Sequence, residues 1–276
     1  MQYKKTIVLM IGLSLVAACK QQASTDVTAA SSVDTPVGAM KSPTDKAVAS
    51  ELSAEQKLEA KLTKAMPYSE LRKTVLAKGW LPLVTPECKD NVGGEALICA
   101  EQPEVESCSG DGHCNMQFAH GASQTKLKVG TYAENTKFWE FSSASNNESA
   151  TSCPSQKFED FLKAFASDKA LQNSFTASLV KVEELTDGGE KGFGMRSVYF
   201  NKADYKDFNL AYQKDGFHAV FNDDIGPKSI PVEIKQENAD NYFVRFRYGT
   251  SEGNSYRFRK NNACWYLSED PEAPSP

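Results

Sequence analysis

The sequence is poor in the residues that carry out chemistry. Among 276 residues there are three histidines, His113, His120 and His218. Nucleophilic hydrolysis needs a histidine within hydrogen-bond reach of a serine or cysteine, oriented by a third group. The Gly-x-Ser-x-Gly spacing occurs once, in Gly249-Thr250-Ser251-Glu252-Gly253, but it lies between two strand patterns, where a nucleophile elbow would lead from a strand into a helix, and no Cys-x-x-Cys knuckle offers a zinc site. Phosphate loops are missing too: the run Gly188-Gly189-Glu190-Lys191-Gly192-Phe193-Gly194 lies between two strand patterns, where a phosphate loop would precede a helix. Asp223-Asp224 leads into Ile225-Gly226-Pro227 and reads as a turn, not as the carboxylate pair of a glycosidase. Positive charge is in short supply, with 31 basic against 36 acidic residues and a net charge of -5. That balance argues against a nucleic-acid partner and gives no general attraction to anionic lipid. The longest apolar stretch, Ile7 to Val16 with Gly12 and Ser14 inside it, falls short of the roughly 20 residues that span a bilayer.

What that stretch does have is the layout of an export signal, with Lys4 and Lys5 ahead of an apolar core. The segment Leu15-Val16-Ala17-Ala18-Cys19 that follows resembles the lipobox of bacterial lipoproteins. The resemblance implies that residues 1–18 are a signal peptide, that Cys19 carries acyl chains, and that the membrane partner is reached through them. Lys20, in place of an inner-membrane-retaining aspartate, implies an outer-membrane location facing the periplasm. Each buried methylene of an acyl chain contributes roughly 0.8 kcal/mol, so several chains anchor firmly. Loss of Lys4 and Lys5 would leave 29 basic residues against 36 acidic, a net charge of -7.

With Cys19 set aside, six cysteines remain: Cys88, Cys99, Cys108, Cys114, Cys153 and Cys264. An even set in an oxidising compartment reads as disulfides. Proximity in the chain suggests Cys88 with Cys99, Cys108 with Cys114, and Cys153 with Cys264. The loop Cys108-Ser109-Gly110-Asp111-Gly112-His113-Cys114 contains metal-ligand types, but its two glycines and the compartment favour a disulfide-closed hairpin, so neither a metal nor a cofactor is expected.

The expected fold class is α+β. It comprises two small domains, each with an N-terminal helix packed on a mainly antiparallel sheet. Residues 19–50, rich in Ala, Ser, Thr and Asp and without an aromatic, read as a disordered tether. The first domain spans 51–141. Ser53 and Gln56 form a capping box, Leu58 and Leu62 recur at helical spacing, and Pro67 opens a second helix carrying Leu71 and Val75 and capped by Gly79. Trp80 to Val84 reads as a strand that Pro82 demotes to an edge or an entry strand. Asn115 to Ala119 and Lys126 to Tyr132 form a hairpin, with Lys137 to Phe141 beside it. This order loosely resembles the repeat unit of secreted beta-lactamase inhibitor proteins.

Residues 142–152 read as a linker, 153–270 as the second domain and 271–276 as a tail. Phe158, Phe161, Leu162 and Phe165 give one aromatic-rich helical face, and six strand patterns follow between Phe175 and Leu267. A helix laid across a curved antiparallel sheet resembles the cystatin-like cone that nuclear-transport-factor-two-like domains share. The resemblance covers roughly residues 155–268 and transfers no functional residue.

One surface feature stands out. Alternation through Phe243-Val244-Arg245-Phe246-Arg247-Tyr248 and Tyr256-Arg257-Phe258-Arg259 puts apolar residues on one face and Arg245, Arg247, Arg257 and Arg259 on the other. Aromatic pairing across this hairpin would set Arg247 opposite or diagonal to Arg257, and Arg245 to Arg259, an arrangement needing compensation. Glu233 on the neighbouring strand can supply it, in the register that matches Val232 and Ile234 to the apolar side. The arginine face is the candidate binding face. His218 is expected to point outward from its strand. The composition favours a non-enzymatic binding module, with a protein or cell-envelope component as partner, in particular an inhibitor or immunity protein. A cell-envelope hydrolase with an unrecognised site is the alternative.

Overall fold

The computed structural model describes residues 52–94, 96–144, 152–187, 193–248, 252–262 and 264–271, all within one compact unit. The signal, the tether, most of the 142–152 linker, the Gly188-Gly189 turn, Gly249 and nearly all of the tail lie outside the described residues.

The chain begins with α1 (Ala54–Glu59) and α2 (Tyr68–Ala77), then β1 (Leu81–Val84), the short helices α3 (Cys88–Asn91) and α4 (Ala96–Glu101), β2 (Val105–Cys108), β3 (His113–His120), β4 (Thr125–Tyr132) and β5 (Asn135–Ser143). The second half supplies α5 (Phe158–Ser167), α6 (Lys169–Phe175), β6 (Thr176–Asp187), β7 (Phe193–Asn201), β8 (Leu210–Gln213), β9 (Gly216–Phe221), β10 (Asp224–Ile225), β11 (Val232–Asn238), β12 (Asn241–Tyr248), β13 (Glu252–Asn261) and β14 (Cys264–Asp270). Local chemistry sets the helix starts. Ser53 Oγ accepts the Gln56 amide while Gln56 Oε1 accepts the Ser53 amide, which closes the capping box on α1. Asp168 caps α6 through the amides of Ala170 and Leu171.

The strands do not form two domains' worth of separate sheets. Eleven of them make one open sheet in the order β11-β12-β13-β14-β6-β7-β1-β3-β4-β5, with β2 paired to β3, and β8, β9 and β10 make a separate three-stranded sheet. The expected pair of small domains, the second a cystatin-like cone, is therefore corrected: neither sheet closes or curls into a cone. The reason is β1. Its first half pairs antiparallel with β3 (Leu81 opposite Ala119) and its second half pairs parallel with β7 (Leu83 opposite Tyr199). Pro82 marks the hand-over between these partners, so a strand expected as an edge or entry strand instead joins the two halves of the sheet. A second parallel pairing, β14 with β6, also departs from a purely antiparallel meander.

All four principal helices lie on one side of this sheet. Strand alternation puts Pro82 and Val84 on the same face. Phe118, opposite Pro82, packs in a cluster with Leu58, Leu71, Val75 and Trp80 from the α1–α2 region, whereas Val84 packs against the cluster built on α5. In that second cluster Phe158, Phe161, Leu162 and Phe165 are at most 2 % exposed, and each contributes roughly 1.5–3 kcal/mol by leaving water. Phe258 lies edge-on to Phe158, Phe161 and Phe165. The disulfides are Cys88–Cys99, Cys108–Cys114 and Cys153–Cys264. The last ties the segment before α5 to the start of β14.

Candidate functional site

The opposite face of the large sheet carries no helix among the described residues, and it holds all four arginines of the candidate binding face. The β12–β13 register differs from the one expected. Arg245 faces Ser255, Arg247 faces Gly253, Arg257 faces Phe243 and Arg259 faces Asn241, so no two arginines oppose each other. This register has β13 beginning at Glu252, opposite Tyr248. Gly253, within β13, permits it: a Cβ there would lie 2.3 Å from the Phe246 carbonyl oxygen. On the other side Glu233 lies opposite Arg245, and Val232 and Ile234 pair with Phe246 and Val244 on the apolar side.

The arginines fall into three environments. Arg257 is internally matched: its Nε and Nη2 donate to the two oxygens of Glu237 at 2.8 and 3.1 Å, and its Nη1 donates to Glu269 at 2.5 Å. These contacts hold the guanidinium charged and fix its plane. Arg245 and Arg247 border an open depression of about 410 Å³ with Pro231, Glu233 and Phe246, beside the edge strand β11. Arg259 lines a separate pocket of about 220 Å³.

That second pocket is assembled from six separated stretches of chain. Gly121, Ala122 and Gln124 of the β3–β4 turn meet Leu179 and Lys181 of β6, Tyr199 of β7, Asn241 of β12, Arg259 of β13, and Ser268 and Glu269 of β14. Its apolar floor is shared with a small buried cluster of Leu83, Ala119, Ala144 and Leu179 against which Tyr199 packs. Gly121 matters here for close approach, since a Cβ on it would fall 2.0 Å from the Tyr199 hydroxyl. Burial pushes the Tyr199 phenol above its ordinary pKa and the Glu269 carboxylate adds to the shift, while Arg259 opposes it. Lys181 pairs with Glu183 at 3.1 Å, and Glu269 is taken by Arg257. Arg259 has no carboxylate within salt-bridge distance among the described residues.

Reading the chain alone singles out Arg259 but not Lys181, Tyr199, Asn241, Gln124 or Glu269. No local signal marks them, because only the sheet order brings them together. Other candidate residues lie elsewhere. The Cys108–Cys114 disulfide joins directly paired residues of β2 and β3. Asp111 and His113, 3.8 Å apart, are both exposed beside it. Among the described residues no group of three or more His, Cys, Asp or Glu could hold a metal ion. His218 is not outward: it is 2 % exposed, with Nε2 2.9 Å from Asp215 Oδ1 and Nδ1 2.8 Å from the Gly226 carbonyl oxygen. Both ring nitrogens face acceptors, an arrangement that favours the doubly protonated ring, and the Asp215 carboxylate raises the imidazole pKa. Asn222 and Asp223, with φ of 48° and 69°, form the β9–β10 turn, so of the acidic pair Asp223 lies in the turn as expected while Asp224 opens β10.

A second buried polar group lies on the helix side. Glu104, 0 % exposed, accepts a hydrogen bond from the Tyr68 hydroxyl at 2.8 Å and is clasped by Arg72 through Nε and Nη2. Burial and the adjacent carboxylate push the Tyr68 phenol well above its usual range. This group pins α2 to the start of β2.

Comparison with known proteins yields no matching family model and no matching curated protein. Among solved structures the chain is similar to an NTF2-like protein from Bacteroides fragilis, with 12 % identity over 58 % of this chain and a TM-score of 0.29. The chain spans 64 % of the length of that protein. A likeness at that level does not carry a fold or a function across.

Proposed function

We propose that this protein is an exported lipoprotein, held in the outer membrane by acyl chains on Cys19 and facing the periplasm, that acts as a non-catalytic binding module. Its partner is a protein or another envelope component, and inhibition of a secreted enzyme or effector is the specific form of the role. The observation that carries the binding reading is the helix-free sheet face. There Arg245 and Arg247 border an open depression of about 410 Å³ beside an edge strand. Arginine is enriched at protein interfaces, where its planar fork pairs with carboxylates. The exported reading rests on the lipobox-like segment and on three disulfides, a bond type that persists in oxidising compartments.

Two measurements test this. Labelled fatty acid should be incorporated into the parent chain and not into a Cys19→Ala variant, which should move to the soluble periplasmic fraction. Envelope extract passed over the protein should yield an acidic partner whose retention drops on Arg245→Glu/Arg247→Glu substitution at unchanged melting temperature. Label on the Cys19→Ala variant would overturn the anchor, and capture indifferent to the charge reversal would overturn the binding face. Turnover in a panel of envelope hydrolase substrates would overturn the non-catalytic assignment.

A further inference from the structure

The Arg259 pocket is chemically different from the depression at Arg245 and Arg247. Three charged side chains line it, Lys181, Arg259 and Glu269. Glu269 is held by Arg257 and Lys181 by Glu183, both through neighbouring side chains of the same face. The uncommitted charge is therefore the guanidinium of Arg259, half-buried and without an ion pair among the described residues. Around it stand neutral polar groups. The Asn241 amide is oriented by Asn238 Oδ1 at 2.9 Å, and the Gln124 amide donates to the Gly121 carbonyl oxygen at 2.6 Å. The Tyr199 ring and Leu179 supply the apolar wall.

We infer that this pocket binds a small monocarboxylate, its carboxylate paired with Arg259 and its polar body held among Asn241, Gln124 and Tyr199. A guanidinium presents two parallel N–H donors to a carboxylate, a match in geometry as well as charge. A single guanidinium without an ion pair suits a monoanion, whereas a dianionic phosphate would meet the Glu269 carboxylate with its second charge unmatched. About 220 Å³ accommodates a group the size of a blocked dipeptide or a short hydroxy acid. The C-terminus of a peptide and a free organic acid share this chemistry. The inference deepens the binding-module reading by naming a ligand class, and it rests on that reading only in taking the helix-free face as the working face.

Calorimetric titration of the purified full chain, in detergent to keep an acylated N-terminus soluble, tests it with N-acetyl-Gly-Gly, its C-terminal amide, lactate and inorganic phosphate. The acid should bind about tenfold or more tightly than its amide, and Arg259→Gln should remove that preference. Tighter binding of N-acetyl-Gly-Gly than of lactate assigns the pocket to peptide termini, and the reverse assigns it to free acids. Gly121→Ala, which drives Tyr199 out of position, should weaken the acid while leaving capture at Arg245 and Arg247 intact. If Arg259→Gln does not fold, Arg259→Lys keeps the charge without the fork and should lose part of the preference. Equal binding of acid and amide, phosphate binding above both, or an Arg259 variant as tight as the parent overturns the inference. Envelope capture that persists in any of those cases leaves the binding-module reading standing.

Discussion

Arg72→Met is the sharpest probe of what holds the first half of the sheet to its helices. Glu104 is 0 % exposed, and its carboxylate is satisfied by Arg72 and by the Tyr68 hydroxyl. Removing the guanidinium leaves a buried anion with a single hydroxyl donor. Breaking a buried pair in this way costs about 3–5 kcal/mol. Because the Arg72 side chain is 32 % exposed, solvent can partly replace it, which puts the expected loss at the low end, about 3 kcal/mol. Glu104→Leu strands Arg72 less severely, since a guanidinium on that surface can turn to water, and about 2 kcal/mol is expected. The double variant removes both charges and should be more stable than the sum of the singles implies, with a coupling of about 1.5 kcal/mol or more. Urea unfolding followed by tryptophan fluorescence reads this directly, because Trp80 is buried in the same cluster. A loss under about 1 kcal/mol for Arg72→Met, or strict additivity, would show that water reaches the carboxylate and would refute the reasoning.

The Cys153–Cys264 bridge spans a sequence separation of 111 residues, and closing a loop of that length contributes about 4.8 kcal/mol in the chain-entropy model, so a Cys153→Ala/Cys264→Ala variant should lose several kcal/mol against chemical denaturant; a loss below about 1 kcal/mol would contradict that account. His218 should titrate with a midpoint above the usual imidazole value. The stabilisation it confers is fully present below the unfolded midpoint of about 6.5 and is lost as pH rises through the folded one. An NMR titration of its ring protons reads the midpoint, stability measured across that window should fall with pH in the parent and lose the slope in His218→Gln, and a midpoint at or below 6.5 would remove the argument.

Much of the local structure was legible in the chain. Ser53 with Gln56, the aromatic-rich face of α5, and the alternation through β12 and β13 are governed by neighbours three or four residues away, or two, and each is legible in those spacings. The three disulfide pairings followed from simple proximity. Long-range pairing was beyond such reasoning. Nothing near Leu81 to Val84 announces that one short strand will have β3 on one side and β7, over a hundred residues later, on the other. That pairing merges two expected domains into one sheet. His218 looked like an outward strand residue because its partners, the Asp215 carboxylate and the Gly226 carbonyl, arrive only when β8, β9 and β10 fold together. The arginine face divides along the same line. Alternation alone puts four arginines on one side, since side chains along a strand repeat every second residue. Register, set by the close approach at Gly253, decides that Arg257 is neutralised, that Arg245 and Arg247 border the edge depression, and that Arg259 stands unmatched in a pocket built by six segments.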